Sequence, residues 1–324
     1  MAVISYARAI REALAEELER DDTVFVMGED VGAFGGAFGI TKGLQERFGK
    51  RRVFDTPISE NFIVGGGVGA ALTGLRPVVE LQYADFIEVA MDEVYNKAAK
   101  WRYMHGGLFS VPLVIRGPSG AANGAGAEHS QCPESILLSA SGLHVVTPST
   151  PADAKGLLKA AIRSPNPVVF LEHKGLYGTK GEVPEGDHVV EIGQADVRRT
   201  GTDVTIVAWQ RMLLQSLEAA KTLSADGIDV EVIDPRGVRP LDLDTILASV
   251  RKTGRLVVVH EAAKAGNVAN EIAGAVAEEA IDYLRGPIVR LCAADIPIPQ
   301  STTLELQSIP STADIEAAVR KLVT

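Results

Sequence analysis

Cysteine is nearly absent: Cys132 and Cys292 are the only two in 324 residues. Two thiols so far apart exclude a disulfide framework and suit a reducing compartment, the cytoplasm. Positive charge is also short. The 32 Lys and Arg against 42 Asp and Glu leave a net charge of −10, with no dense basic run. Nucleic-acid binding is therefore disfavoured, because phosphate contacts need a basic face. No run of about 18 apolar residues exists, so no membrane span is expected. The N-terminal Met-Ala-Val-Ile-Ser-Tyr-Ala-Arg lacks the apolar core of a signal peptide. What is present, 46% hydrophobic and 23% charged residues, describes an apolar-leaning globular chain. Its length suits two domains, and its excess apolar surface suits burial in an oligomer.

One dense stretch stands out. Residues 53–82 read V-F-D-T-P-I-S-E-N-F-I-V-G-G-G-V-G-A-A-L-T-G-L-R-P-V-V-E-L-Q. Val53 and Phe54 enter a turn at Asp55-Thr56-Pro57. Ser59 is then placed to cap a helix, and Glu60 falls in its first turn, where a carboxylate suits the positive end of the helix dipole. Residues 62–72 carry no charge and little bulk. Each glycine inside a helix costs about 0.5–1 kcal/mol relative to alanine, so Gly65, Gly66, Gly67 and Gly69 imply close approach by a backbone, a subunit or a ligand. A Glu after a Ser is ordinarily a solvated helix-start acid. The apolar neighbours of Glu60 argue instead for a dry setting, where a carboxylate facing a ligand is a functional candidate. The same glycines satisfy G-x-G-x-x-A over 65–70, with Glu80 and Asp85 downstream. That pattern cradles a dinucleotide pyrophosphate directly after a strand; here it falls after the helix has begun, so dinucleotide binding is the secondary reading.

Elsewhere the periodicity sketches alternating strands and helices. Ser5 caps a helix over 5–20, with Ala7, Ile10, Leu14 and Leu18 on one face, and 23–27 is a buried strand. The glycine-aromatic loop 28–43 follows, where ligand loops sit in α/β folds, with Glu29 as its candidate site residue. A short helix over 41–48 leads to the dense stretch. A strand at 77–81 exits through Gln82-Tyr83-Ala84-Asp85-Phe86 into a long helix over 86–104, whose apolar stripe reads as core or subunit interface. A strand at 112–116 precedes 117–133, G-P-S-G-A-A-N-G-A-G-A-E-H-S-Q-C-P, a connection long enough to be functional or disordered. It carries His129. A lone histidine is usually structural, but one in a glycine loop at the end of a parallel strand suits acid–base or hydrogen-bonding work. His129 and Cys132 lack the further ligands of a metal site, and Ser119 lacks the glycine two residues on that a nucleophile elbow needs.

Strands at 143–147 and 167–172 flank a helix over 152–163, and the β-α-β-α order argues a parallel sheet. The polar stretch 173–202 reads as a linker. A second, smaller α/β unit follows, with strands at 203–208, 229–234, 255–260 and 287–291 and helices at 212–223, 243–250 and 268–283. Ser311 caps a last helix. His260-Glu261, at a strand end, reads as a structural or interface pair. The expected organisation is two parallel-sheet α/β domains, 1–185 and 203–324.

Assembled, these segments resemble a family. T-P-I-S-E at 56–60, G-A-A-L-T-G-L-R-P at 69–77, E-H-S-Q at 128–131, D-A-K-G-L-L-K-A-A-I-R at 153–163, P-V-V-F-L-E at 167–172 and D-I-P-I-P at 295–299 are similar to the beta subunit of the thiamine-diphosphate-dependent 2-oxo acid dehydrogenases. These are the thiamine-diphosphate components of the pyruvate, branched-chain 2-oxo acid and acetoin dehydrogenase complexes. The resemblance spans essentially the whole chain. It implies a pyrimidine-binding domain followed by a transketolase C-terminal-like domain, and oxidative decarboxylation of a 2-oxo acid with reductive acylation of lipoyl groups. It implies that Glu60 hydrogen-bonds N1′ of the cofactor's aminopyrimidine and that Phe86 packs on that ring, joined by Glu29 and Gln82 as cofactor-binding residues. A dry pocket would raise the pKa of such a carboxylate, which suits proton sharing with the ring. His129 matches the histidine near the reacting centre that assists acyl transfer to lipoyl. A structural potassium ion is also implied, on the carbonyls of Leu113, Ala161, Ile162 and Asn166; Ser164 stands where the family often has Asp.

A further absence bears on assembly. The G-D-G…N motif that holds the diphosphate and its magnesium in this superfamily is missing; Gly-Asp occurs only in Gly186-Asp187-His188. The other half of the site would come from an alpha subunit, in an alpha2beta2 heterotetramer docked on a dihydrolipoamide acyltransferase core and its lipoyl domain. The small-residue helix 61–74 suits a packed subunit interface. F-L-E-H-K at 170–174, G-E-V-P-E at 181–185 and V-H-E-A at 259–262 look closer to acetoin and bacterial pyruvate members than to branched-chain ones, and pyruvate is the expected substrate. The alternatives are an acetoin or branched-chain dehydrogenase beta subunit, a dinucleotide-binding oxidoreductase using 65–70, and a non-catalytic scaffold. The joint presence of Glu60, Phe86 and His129 argues against the scaffold.

Overall fold

Apolar runs such as Val24–Gly28 and Val204–Ala208 are buried along their whole length, as strands covered on both faces of a parallel sheet must be. The computed structural model describes residues 1–324 and divides into two units: Met1–Ser119 with Ile136–Ile192, and Gly120–Ser135 with Gly193–Thr324.

The first unit contains β1 (Ala2–Ser5), β2 (Val24–Gly28), β3 (Val53–Asp55), β4 (Arg76–Glu80), β5 (Val114–Ser119), β6 (His144–Val146), β7 (Val168–His173) and β8 (Lys180–Val183). Strands β6-β7-β5-β4-β2-β3 lie side by side and all run parallel. Helices α1 (Tyr6–Arg20), α2 (Glu60–Leu72) and α3 (Pro151–Arg163) cover them. Ser5 caps α1 by accepting the Arg8 N–H at 3.3 Å, and Thr150 caps α3 by accepting that of Asp153 at 3.2 Å. Gly67 explains part of the glycine run in α2: a Cβ there would lie 2.8 Å from Val79 and 2.9 Å from Leu113, so only glycine lets α2 lie this close to β4 and β5.

The second unit holds β9 (Asp196–Arg199), β10 (Val204–Ala208), β11 (Val230–Asp234), β12 (Leu256–Ala263) and β13 (Val289–Ala293). Their order is β13-β12-β10-β11-β9, parallel except for the edge strand β9. Helices α4 (Gln210–Ala225), α5 (Leu243–Thr253), α6 (Val268–Glu279) and α7 (Thr312–Val323) pack around it. Met212, Leu213, Val232, Val257, Ile315 and Val319 belong to one buried cluster. Ser311 and Asp314 form a reciprocal capping box at the start of α7.

Two expectations are corrected. The helix over 86–104 is broken into a 3₁₀ turn (Ala84–Glu88), a π-helical stretch (Glu93–Ala98) and one α turn (Trp101–Met104). The wide turn carries the Ala99 N–H to the Val94 carbonyl, five residues back, at 3.0 Å, and Val94, Ala98 and Ala99 are all buried. The linker 173–202 is not irregular throughout. It supplies β8, which pairs antiparallel with the unanticipated β1 from Ala2↔Val183 to Ser5↔Lys180, and β9. Both are polar edge strands whose partners lie far away in sequence, so no local alternation marks them. A short helix, Thr302–Ser308, was also unmarked. No helix is long and apolar enough to cross a membrane.

Candidate active site

The carboxyl ends of β2, β3 and β4 converge on two carboxylates. Glu29 follows β2 directly, and Glu60 opens α2 just after β3. The Thr56 N–H donates to the Gly28 carbonyl at 2.9 Å, tying the turn before α2 to the end of β2. Ser59 caps α2 by accepting the Phe62 N–H at 3.4 Å, which sets Glu60 at the positive end of the helix. Glu29 is 7% exposed, and its Oε1 makes no hydrogen bond. Burial, and then the nearby charges of Glu60 and Asp30, push its carboxyl above the ordinary carboxylate range. Glu60 itself is half-buried. The site thus pairs a partly accessible carboxylate with a buried one that holds its proton more tightly than usual, an arrangement able to share a proton with a heterocyclic nitrogen.

Beyond β4, Gln82 and Phe86 are both half-buried. Phe86 meets Tyr83 edge-on at 5.9 Å, Tyr83 meets Phe38 of the glycine loop at 5.6 Å, and Phe38 meets Tyr177 at 5.3 Å. Tyr177 donates to Glu172 Oε2 at 2.8 Å. Arg116 lies behind this chain of rings, bonded to Glu172 and Glu80. Sequence reading passed over this buried group. Its signal was a charged residue within each of three largely apolar strands: Glu80 at the end of β4, Arg116 in β5 and Glu172 in β7.

The four carbonyls considered for potassium are all engaged. Leu113 O accepts the Val168 N–H at 2.9 Å and Ala161 O that of Ser164 at 3.2 Å. Asn166 O accepts the Ser164 hydroxyl at 3.0 Å. Arg76 Nη1 donates to Ile162 O at 2.9 Å and to Ser164 O at 3.1 Å. The positive charge that suits the C-terminus of α3 is therefore a guanidinium. A potassium ion would share these carbonyls with a like charge, and the residues present do not fit it.

His129 lies in Gly120–Ser135, within the second unit, whereas Glu29, Glu60, Gln82 and Phe86 belong to the first. It is half-buried, and its backbone N–H donates to the Gly126 carbonyl at 3.3 Å. The glycines of the secondary reading, 65–70, lie inside α2; no strand-to-helix turn is formed there, so the dinucleotide geometry is absent. No group of three or more His, Cys, Asp and Glu side chains is placed to hold a metal ion.

Both units are mostly parallel-sheet α/β, the architecture of the transketolase-like class. Residues 2–180 match the family model "Transketolase, pyrimidine binding domain" and residues 193–315 match "Transketolase, C-terminal domain". Within that class the chain belongs to the family of 2-oxo acid dehydrogenase beta subunits. It is 49% identical to the pyruvate dehydrogenase E1 component subunit beta of Rhizobium meliloti, over 99% of this chain and 70% of that protein. It is 47% identical to the acetoin:2,6-dichlorophenolindophenol oxidoreductase subunit beta of Cupriavidus necator, over 98% and 97%. It is 46% identical to the 2-oxoisovalerate dehydrogenase subunit beta of Bacillus subtilis, over 99% of each. Among solved structures, a split-gene transketolase described as an inactive beta4 tetramer superposes with a TM-score of 0.81 at 25% identity, over 99% of this chain and 98% of that one.

Proposed function

We propose that this chain is the beta subunit of a thiamine-diphosphate-dependent pyruvate dehydrogenase that converts a 2-oxo acid and a lipoyl disulfide to carbon dioxide and an acyl-dihydrolipoyl group. The observation that carries the reading is the Glu29–Glu60 pair: a buried carboxylate oxygen without a partner beside a second acid at a helix start. These groups fit the polar edge of an aminopyrimidine. When bound, the cofactor supplies the electron sink for decarboxylation. Glu60 holds the proton at the ring's N1′, Glu29 sustains a dry acidic wall behind it, and Phe86 offers the ring an apolar face, with Gln82 nearby. His129 supplies a proton-transfer group for acyl transfer to lipoyl.

The chain offers neither the G-D-G motif nor a carboxylate cluster for magnesium, which supports a partner that holds the diphosphate end. In this reading the partner is an alpha subunit in an alpha2beta2 assembly serving a dihydrolipoamide acyltransferase core. The parts of the chain divide accordingly, with 1–185 facing the pyrimidine and 203–324 as the transketolase C-terminal-like half. Pyruvate is favoured by the 49% identical relative.

Glu60→Gln in the assembled enzyme tests the reading. The amide cannot hold the proton, so decarboxylation should fall by a factor on the order of 100 or more while assembly with the alpha subunit, read by size-exclusion chromatography, stays intact. Near-normal turnover would remove Glu60 from the mechanism.

A further inference from the structure

The sequence V-H-E-A at 259–262 ends β12, at a point where the register against β13 shifts between His260 and Ala263. Bulges of this kind re-aim side chains at strand ends. His260 and Glu261 are both buried, at 2% and 7% exposure, and each reaches a different end of Gly120–Ser135, the segment that carries His129. Glu261 Oε1 accepts the backbone N–H of Ala121 at 2.5 Å. His260 Nδ1 accepts the Ala262 N–H at 3.1 Å. That leaves Nε2 as the protonated nitrogen, facing the buried Glu134 Oε1 at 3.2 Å. Trp209 packs edge-on against the imidazole at 5.1 Å, and Asn267 Nδ2 lies 3.2 Å from its Nδ1.

Two further bonds hold the middle and start of the segment. The Gly124 N–H donates to Glu305 Oε2 at 2.8 Å, and Arg211 Nη1 donates to the Ala121 carbonyl at 3.2 Å. Gly124 has φ of 64°, and a Cβ there would lie 2.4 Å from the Gln300 carbonyl oxygen, so a side chain would lift the segment. A glycine-rich stretch with almost no regular structure is thereby held at residues 121, 124 and 134. His129 sits inside that frame.

We infer that His260 and Glu261 are positioning residues for His129: adjacent side chains on one strand end that clamp the two ends of its loop. Neither touches the reacting atoms in this account. Their contribution is to limit the places His129 can occupy, and misplacement of a catalytic group by about 1 Å can cost on the order of 100-fold in rate. The inference rests on the acyl-transfer role of His129.

The test uses the assembled alpha–beta enzyme with two assays: decarboxylation read with an artificial electron acceptor, and reductive acylation of a lipoyl domain. Glu261→Ala removes the acceptor for Ala121, whereas Glu261→Gln keeps an oxygen able to accept that N–H. Acylation by Glu261→Ala should fall on the order of tenfold in kcat, with decarboxylation changed less than about twofold, and Glu261→Gln should restore most of the loss. His129→Ala runs alongside. If it spares acylation, the role of His129 falls, and that of the clamp with it. If it impairs acylation but Glu261→Ala does not, or if Glu261→Gln loses as much as Glu261→Ala, the clamp alone is overturned. Should Glu261→Ala fail to assemble, hydrogen exchange on the wild-type enzyme decides. The Ala121 and Gly124 amides should be protected well above an open glycine loop, and exchange at loop rates would overturn the inference.

Discussion

Arg116 and Glu172 are joined by two parallel bonds, Nε to Oε1 at 2.6 Å and Nη2 to Oε2 at 2.7 Å, with 1% and 0% of their side chains exposed. Bidentate geometry of this kind is the strong form of the ion pair. The same guanidinium reaches Glu80, so three strands of the first sheet meet at one buried cation. Two carboxylates against one guanidinium leave an excess negative charge, and Tyr177 donates its hydroxyl to Glu172. From Tyr177 the chain of rings runs through Phe38 and Tyr83 to Phe86.

Arg116→Met should therefore be severe. It leaves Glu80 and Glu172 buried without their cation, a situation that costs on the order of 3–5 kcal/mol. Tyr177→Phe removes a single hydrogen bond to a charged group and should cost about 1.5–3 kcal/mol. Urea unfolding of the two variants checks both figures. Equal, small losses would mean that the cluster contributes little to stability.

Glu29 predicts a pH dependence. Its folded pKa lies above the ordinary value, through burial first and then the charges of Glu60 and Asp30. A group raised in this way contributes stability below its unfolded pKa, and that contribution is lost as pH rises through the folded value. At neutral pH the ionised Glu29 therefore destabilises the fold. Glu29→Gln should raise Tm at about pH 7.5, on the order of 2 °C or more, and the gain should shrink as pH falls toward the ordinary carboxyl value of 4.5. A gain that is flat with pH would contradict the assignment.

Arg76 predicts indifference to potassium. Its Nη1 bonds Ile162 O and Ser164 O at the end of α3, so replacing potassium by sodium at constant ionic strength should leave Tm unchanged. Arg76→Gln should cost about 1–3 kcal/mol, since both carbonyls lose a charged donor. A rise in Tm specific to potassium, or an anomalous thallium peak at these carbonyls, would restore the ion.

Much of this architecture is legible in the sequence because its strands are fully buried and its helices carry explicit caps. Ser5, Ser59 and Ser311 each mark a helix start correctly, and the largely apolar stretches at 77–81 and 203–208 mark buried strands. What escaped lacks a local signature. The pairing of β1 with β8 joins residues nearly the whole first unit apart, and a π turn at Glu93–Ala98 leaves the apolar stripe looking helical while changing its register. The pairing of Glu29 with Glu60 follows from the adjacency of β2 and β3, which composition alone does not order. The Arg116–Glu172 pair and the two clamps on Gly120–Ser135 were hidden for the same reason: each partner looks like a lone polar residue until the sheet brings β5 beside β7, or β12 to the loop.

Reconstitution separates a split cofactor site from a complete one. The chain, alone and co-expressed with the alpha subunit from its own source, would be titrated with thiamine diphosphate and magnesium by calorimetry, then assayed for decarboxylation of pyruvate and branched-chain 2-oxo acids and for oxidative cleavage of acetoin. The chain alone should bind weakly or not at all, and the assembly should bind tightly with magnesium and turn over pyruvate. Tight binding by the isolated chain, or a well-formed assembly that neither binds the cofactor nor turns over any of these substrates, would contradict the proposed function.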